Sequence, residues 1–139
     1  MKPFAPAVIA AMMLMTTFAV AQDDRKTTDA KAAAMRWLEL ADQGNYAASW
    51  DQAAAPFRAA VTKPGWEDAL HSVRAPLGAI RAREPVSAVF TRALPCAPDG
   101  EYVVIQYATD FERKPNAIDT VTPMRETDRW SKVSGYFIK

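Results

Sequence analysis

The sequence is poor in the residues that build most metal and catalytic centres. It contains one histidine, His71, and one cysteine, Cys96. A catalytic zinc site takes two or three His or Cys ligands, and no run of alternating Asp and Asn suggests a calcium loop. The five glycines are scattered singly, which excludes a glycine-rich phosphate loop and a Gly-x-Ser-x-Gly nucleophile elbow. We therefore expect no metal, no cofactor and no assigned catalytic residue.

An excess of charge of one sign is also lacking. Lys and Arg number 17 against 16 Asp and Glu, whereas nucleic-acid-binding proteins carry a basic excess or stripe. Half of the residues are apolar and 24% are charged, which excludes a disordered chain and is typical of a globular domain. We expect no nucleic-acid partner.

The N-terminus has the pattern of a secretory signal peptide. Lys2 precedes an uncharged run from Pro3 to Val20, which ends in the small-x-small sequence Ala19-Val20-Ala21. The 17 residues from Phe4 to Val20 are short for a membrane span of about 20 residues. We predict cleavage after Ala21, a periplasmic or secreted location, and no membrane attachment after cleavage. An uncleaved anchor is the alternative.

Cleavage would leave residues 22–139, a short extension over 22–28 and a single domain over 29–139. The remaining chain is long enough to bury a stable core by itself. One cysteine in an exported protein cannot form an internal disulfide. Cys96 stands between two prolines, away from any helix N-terminus, and reads as an inert loop residue.

Helical periodicity dominates the first half of the domain. Apolar residues recur at helical spacing from Asp29 to Ala41, and Gly44 predicts the end of that helix. A second helix starts after Asn45, with a break near Pro56, and a third starts after Thr62. The inward face of this third helix is predicted to carry Trp66, Ala69, Leu70 and Val73.

Strand patterns follow Gly78. Residues 86–94, 101–111, 118–125 and 130–138 read as strands, and short turns between them favour an antiparallel meander. Residues 101–111 are apolar on both faces, which predicts a central strand. Gly135 allows a bulge in the last strand. The fold class is α+β: three N-terminal helices packed on a curved, cone-like antiparallel sheet of about four strands.

Three clusters of residues resemble a known family. They are residues 37–50 (with Asp42-Gln43-Gly44-Asn45-Tyr46), residues 74–81 (with Arg74-Ala75-Pro76-Leu77-Gly78), and residues 98–107, closed by Trp130 and Gly135-Tyr136-Phe137-Ile138. The sequence resembles, over about residues 30–139, the exported bacterial family known as domain of unknown function 4019. The resemblance implies a small exported domain with no assigned activity and an architecture similar to the nuclear-transport-factor-2-like cone. It also implies Gly where this chain has Cys96.

Four residues are candidates for binding a ligand. In cone-shaped folds polar groups project into an apolar cavity, so Tyr107 on one face of the central strand, or Asp110 on the other, would serve there. The alternative reading makes Tyr107 a core residue and Asp110 a solvated strand end. Arg74 and Arg81, with Arg83, suit a small anionic ligand, or they pair with Glu67, Asp68 or Glu84. His71 reads as an exposed structural residue at the edge of its helix.

These observations leave three classes of function open. The first is a non-catalytic interaction or accessory module with a periplasmic protein partner, which the missing catalytic constellations favour. The second is a small-molecule or peptide binder that uses the concave face of the cone. The third is an acid–base enzyme with a buried Asp or Tyr. Trp130, at the start of the last strand beside Arg129, is a candidate for an exposed aromatic residue. An exposed edge of that strand would offer strand addition to a partner.

Overall fold

The computed structural model describes the backbone of residues 14–139 and the side chains of residues 25–139. The predicted signal peptide therefore lies outside the described side chains. Four helices precede four strands: α1 Leu14–Asp42, α2 Tyr46–Asp51, α3 Ala55–Ala60, α4 Lys63–Arg74, β1 Ile80–Thr91, β2 Tyr102–Phe111, β3 Lys114–Glu126 and β4 Arg129–Ile138. A 3-10 turn, Ala75–Leu77, joins the two halves. The α+β class and the antiparallel sheet are as predicted.

The number of helices differs from the predicted three. The break expected near Pro56 divides the second helical segment into α2 and α3, because proline lacks a backbone donor and suits the first turn of a new helix. Gln52–Ala54 between them turns toward the sheet, where Ala53 forms a parallel bridge with Val133. The separated segment thus covers part of the edge of β4.

α1 starts earlier than predicted and ends where predicted. No Pro or Gly interrupts residues 14–28, so the helix begins well before the expected cap at Thr28 or Asp29. At its end, Gly44 has φ +77°. Asn45 N–H donates to Leu40 C=O at 2.8 Å, and Gly44 N–H donates to Ala41 C=O at 3.1 Å, which is the Schellman pattern. Asn45 makes no side-chain cap for α2.

The sheet is an antiparallel meander in the order β1-β2-β3-β4. β2 is therefore a central strand, as its two-sided apolar pattern predicts. Thr127 and Asp128 form the β3–β4 turn, both at positive φ. A register irregularity lies between the pairs Thr122↔Gly135 and Pro123↔Val133, which places a bulge beside Gly135.

The core forms between one face of α1 and one face of the sheet. From α1 it takes Trp37 and Leu38 with three alanines that allow close approach, and from the sheet it takes alternate residues of β2. The buried apolar residues of this core are Ala30, Ala34, Trp37, Leu38, Ala41, Leu70, Val103, Ile105, Tyr107, Val121, Trp130 and Val133. The face of β2 that carries Val103, Ile105 and Tyr107 is thus covered by α1.

Two expectations about burial are wrong. Trp130 is 7% exposed and belongs to the core, because its ring packs edge-on to Phe90 across the sheet. On α4, Leu70 is buried as predicted, but Ala69 is exposed and Val73 is 48% exposed. These two residues face a groove beside β4 and not a packed element. Among the described residues, no helix is long and apolar enough to cross a membrane.

Candidate functional site

A buried carboxylate lies at the centre of the sheet face that α1 covers. Asp119 of β3 is fully buried. One of its oxygens accepts hydrogen bonds from Arg83 Nε at 3.1 Å, from Arg83 Nη2 at 2.8 Å and from Thr109 Oγ1 at 2.8 Å. The other accepts from the Tyr136 hydroxyl at 3.0 Å. Three donor groups from β1, β2 and β4 thus satisfy one carboxylate.

A second carboxylate joins the same arginine from the end of α1. Asp42 accepts from Arg83 Nη1 at 2.6 Å and Arg83 Nη2 at 3.2 Å, and from Arg74 Nη2 at 2.9 Å. The Asp42 side chain is 26% exposed, whereas those of Arg83 and Arg74 are 8% and 4% exposed. Asp42 is therefore the part of this network that solvent reaches.

We call Asp42, Arg74, Arg83, Thr109, Asp119 and Tyr136 the Arg83 cluster. Its two guanidinium groups balance its two carboxylates, so the cluster is neutral as a whole. A buried ion pair is tolerated when its remaining donors and acceptors are also satisfied. The hydroxyl groups of Thr109 and Tyr136 do this for Asp119, whereas Arg74 Nε has no hydrogen-bond partner among the described residues. The cluster joins α1, α4 and all four strands.

The surroundings keep two members of the cluster, Arg83 and Tyr136, in one protonation state. Burial is the largest influence on the pKa of Arg83 and lowers it, but hydrogen bonds and charges from Asp42 and Asp119 outweigh burial and raise the pKa overall. Burial, followed by the charge of Asp119, raises the pKa of Tyr136 far above its usual value. Arg83 therefore stays charged and Tyr136 stays a neutral hydrogen-bond donor at physiological pH.

Tyr107 neighbours the cluster without joining its hydrogen bonds. It is the cross-strand partner of Asp119 and is 3% exposed. Its hydroxyl has no hydrogen-bond partner among the described residues. Burial raises the pKa of Tyr107, so the phenol stays neutral. It belongs to the main core, which matches the structural reading of this residue.

Of the other three predicted ligand-binding residues, one joins the cluster and two lie outside it. Arg74 belongs to the cluster, where its guanidinium also stacks over Phe111 at 5.0 Å, and its acidic partner is Asp42 in place of the suggested Glu67, Asp68 or Glu84. Arg81 is exposed on β1. Asp110 accepts a hydrogen bond from Asn116 N–H at 2.8 Å and so stabilises the β2–β3 turn. The structure brings Arg74 and Tyr107 to one region and leaves Arg81 and Asp110 outside it.

Sequence reasoning missed both acidic members of the cluster. Asp119 does carry a readable signal, because it shares a strand face with Ala117 and Val121, which are buried apolar residues. An aspartate on an inward face requires cationic or hydrogen-bonding partners, because burying an unpaired charge is costly. Asp42 carries no such signal, since it follows the last apolar position of α1 and looks like an ordinary solvated residue. Among the described residues, no group of three or more His, Cys, Asp or Glu is placed to hold a metal ion.

An apolar groove of about 180 Å³ lies between α4 and the end of β4. Its walls are Trp66, Ala69, Leu70 and Val73 of α4 and residues 136–138 of β4. Val73 is 48% and Phe137 is 50% exposed, so two large apolar side chains of the groove are open to solvent. We call this the α4–β4 groove.

The strand edge beside this groove has backbone groups that point outward. Ile118 and Lys139 exchange both backbone hydrogen bonds, at 2.9 and 3.0 Å. In an antiparallel pair the hydrogen-bonding direction alternates along the strand, so Tyr136 and Ile138 turn their N–H and C=O groups away from β3. These groups make no backbone hydrogen bond to the described residues, whereas Val133 on the same edge bonds to Gln52 and Ala54.

The comparisons with known proteins identify a family and nothing more specific. No curated protein matches the chain, and no solved structure matches it, so the resemblance to a nuclear-transport-factor-2-like cone stays a prediction. The family described as Protein of unknown function (DUF4019) matches residues 33–136, well over half of the chain. That range contains every member of the Arg83 cluster and most of the α4–β4 groove. The chain belongs to this family.

Proposed function

We propose that this protein is an exported, non-catalytic module that binds an extended segment of a partner protein along the edge of β4. The observation that carries the proposal is the pair of outward-facing backbone positions, Tyr136 and Ile138, beside the apolar wall of α4. An extended segment would add to the sheet through its own backbone groups. It would place alternate side chains in the α4–β4 groove, because side chains alternate along a strand.

The fold itself supports this mode of binding. The Gln52–Ala54 segment already pairs with β4 at Val133. A partner strand would continue along the same edge where that segment stops. The exposed apolar side chains of Val73 and Phe137 lie at this position, so main-chain pairing and apolar burial would act together.

The polar residues of the sheet face that α1 covers favour a binding module over an enzyme. An acid–base enzyme needs a group that can exchange protons with its substrate. In the Arg83 cluster the carboxylates and guanidinium groups are hydrogen-bonded to one another. Tyr107 is unpartnered, but its hydroxyl is buried and its raised pKa opposes ionisation.

Site-specific photocrosslinking in the host cell tests the proposal. A photoreactive residue at position 137 should give a discrete protein adduct. The same residue at position 89 should give none, because Val89 is equally apolar and 58% exposed but lies on β1, at the other edge of the sheet. Equal adducts at both positions would indicate nonspecific contact and refute the proposal.

A proline substitution tests the strand edge itself. Ile138→Pro removes an N–H that points away from β3, so the bonds of β4 to β3 remain. We expect the position-137 adduct to disappear while the urea midpoint of unfolding changes little. An adduct that persists in a folded Ile138→Pro variant would show that strand addition is not the mode of binding.

Export is tested separately. We infer that the N-terminal run directs secretion, since it has a charged start, an apolar centre and a small-x-small end. Mass spectrometry of the protein from its host should find the polypeptide that begins at Gln22, in the periplasmic fraction or the medium. Ala21→Asp should block cleavage and leave the full-length mass. Full-length wild-type protein in the cytoplasm would refute export.

A further inference from the structure

A second cavity opens on the face of the sheet opposite α1. Val103 and Val121 point toward α1, so their neighbours Tyr102 and Thr122 project from the other face. Together with α3 and the β1–β2 connection at residues 94–98, they line a solvent-open space of about 490 Å³. We call this space the outer cavity. Its volume lies within the range of about 300–1,000 Å³ that small-molecule sites occupy.

The lining of the outer cavity carries no charge. It contains no Asp, Glu, Lys, Arg or His. Phe57 and Leu94 supply apolar surface, and Leu94 packs on the small buried cluster of Ala54, Tyr102 and Met124, in which Tyr102 is fully buried. Two hydroxyl groups of the lining already donate hydrogen bonds within the protein: that of Tyr102 to Pro98 C=O, and that of Ser134 to Thr122 C=O. A charged ligand would lose its hydration here without compensation.

A glycine keeps the floor of this cavity open. Gly135 is paired with Thr122, and its side-chain position therefore faces the cavity. A Cβ atom placed there would meet nothing within 4 Å. The φ of Gly135 lies outside the left-handed region, so the backbone does not require glycine. A larger residue at this position would fill space without straining the chain.

We propose that the outer cavity binds a neutral, predominantly apolar small molecule. The uncharged lining, the apolar walls and the open floor at Gly135 each point to that class of ligand. The bound molecule would be held mainly by the removal of its apolar surface from water. This site is separate from the α4–β4 groove, so the two proposals can fail independently.

Binding of the neutral fluorophore N-phenyl-1-naphthylamine to the folded wild-type protein tests the proposal. We expect saturable binding of one molecule per chain, weakened at least tenfold in Gly135→Leu. Val89→Leu adds a methylene on β1, outside the outer cavity, and should bind as the wild type does. Val73→Asp alters the α4–β4 groove and should also leave probe binding unchanged.

Cys96 provides a second readout. Its side chain is exposed and lines the cavity, so saturating probe should slow its alkylation by N-ethylmaleimide several-fold in the wild type and not in Gly135→Leu. If Gly135→Leu does not fold, Ala60→Leu fills the cavity from α3 and serves instead. Absence of saturable binding, or equal binding by wild type and a folded cavity-filling variant, would overturn the proposal.

Discussion

At the scale of single residues, Asp119 is the side chain on which most of the buried polar network depends. It is fully buried and accepts four hydrogen bonds from three residues. Removing one member of a buried ion pair leaves the other charge without compensation, which costs far more than the intact pair contributes. Without Asp119, Arg83 would keep Asp42 as its one carboxylate partner, and the cluster would carry a net positive charge.

We expect Asp119→Asn to lower the free energy of unfolding by about 3–5 kcal/mol, because it leaves Arg83 with one carboxylate in place of two. Urea denaturation at neutral pH measures this loss. The control is Asp51→Asn, since Asp51 pairs with Lys63 at 3.0 Å but both side chains are well exposed. That variant should lose less than about 1 kcal/mol. Similar losses in both variants would contradict the role assigned to Asp119.

At the scale of elements, two glycines end helical segments with the same positive φ in different surroundings. Gly44 after α1 and Gly78 after the 3-10 turn both have φ +77°. A Cβ at Gly44 would meet nothing within 4 Å, whereas a Cβ at Gly78 would lie 2.9 Å from Glu112 Cβ. Gly44 is required because its φ is positive. Gly78 is required because its φ is positive and because a side chain there would collide with Glu112.

We expect Gly44→Ala to cost about 1–2 kcal/mol of unfolding free energy, the cost of a left-handed conformation in an L-residue. Gly78→Ala should cost more, because the Ala79–Glu112 contacts that join the 3-10 turn to β2 must also move. Urea midpoints of the two variants provide the comparison. A smaller loss for Gly78→Ala than for Gly44→Ala would show that the Glu112 contact is not constraining.

At the scale of the whole molecule, Glu101 connects distant parts of the chain. Its carboxylate accepts from Lys26 of α1 at 2.9 Å and from Arg125 of β3 at 2.7 Å, with Arg92 at 3.7 Å. The hydrogen bond from Arg125, followed by that from Lys26, lowers the pKa of Glu101. A carboxyl group whose pKa is lowered by folding stabilises the fold above its unfolded pKa and loses that effect as the pH falls through the lowered value.

We expect Glu101→Gln to be less stable than the wild type at pH 7. The difference should begin to shrink near pH 5, just above the ordinary glutamate pKa of 4.5, and vanish once Glu101 of the folded protein is protonated. Urea midpoints of both proteins from pH 7 down to pH 2 measure this. A difference that stays constant with pH would show that Glu101 contributes through packing and not through charge.

The candidate site was predictable only in part. Arg74 and Tyr107 are in or beside the Arg83 cluster, but Arg81 and Asp110 are not. Asp42 and Asp119 lie 41 and 36 residues from Arg83 along the chain. No local pattern states which of many aspartates will meet a given arginine at such separations. The α4–β4 groove was missed for a related reason, since helical periodicity shows which face of α4 is apolar but not whether another element covers it.

The order and type of the elements follow from the sequence alone, because they depend on local chemistry. Apolar spacing determines the helices and strands, Pro56 determines the break between α2 and α3, and Gly44 determines the end of α1. Only the tertiary structure decided the burial of Trp130, the exposure of Val73, the partners of Arg83 and the two surfaces proposed for binding. Each of these depends on which distant side chains meet in space, and that is a property of the packed chain as a whole.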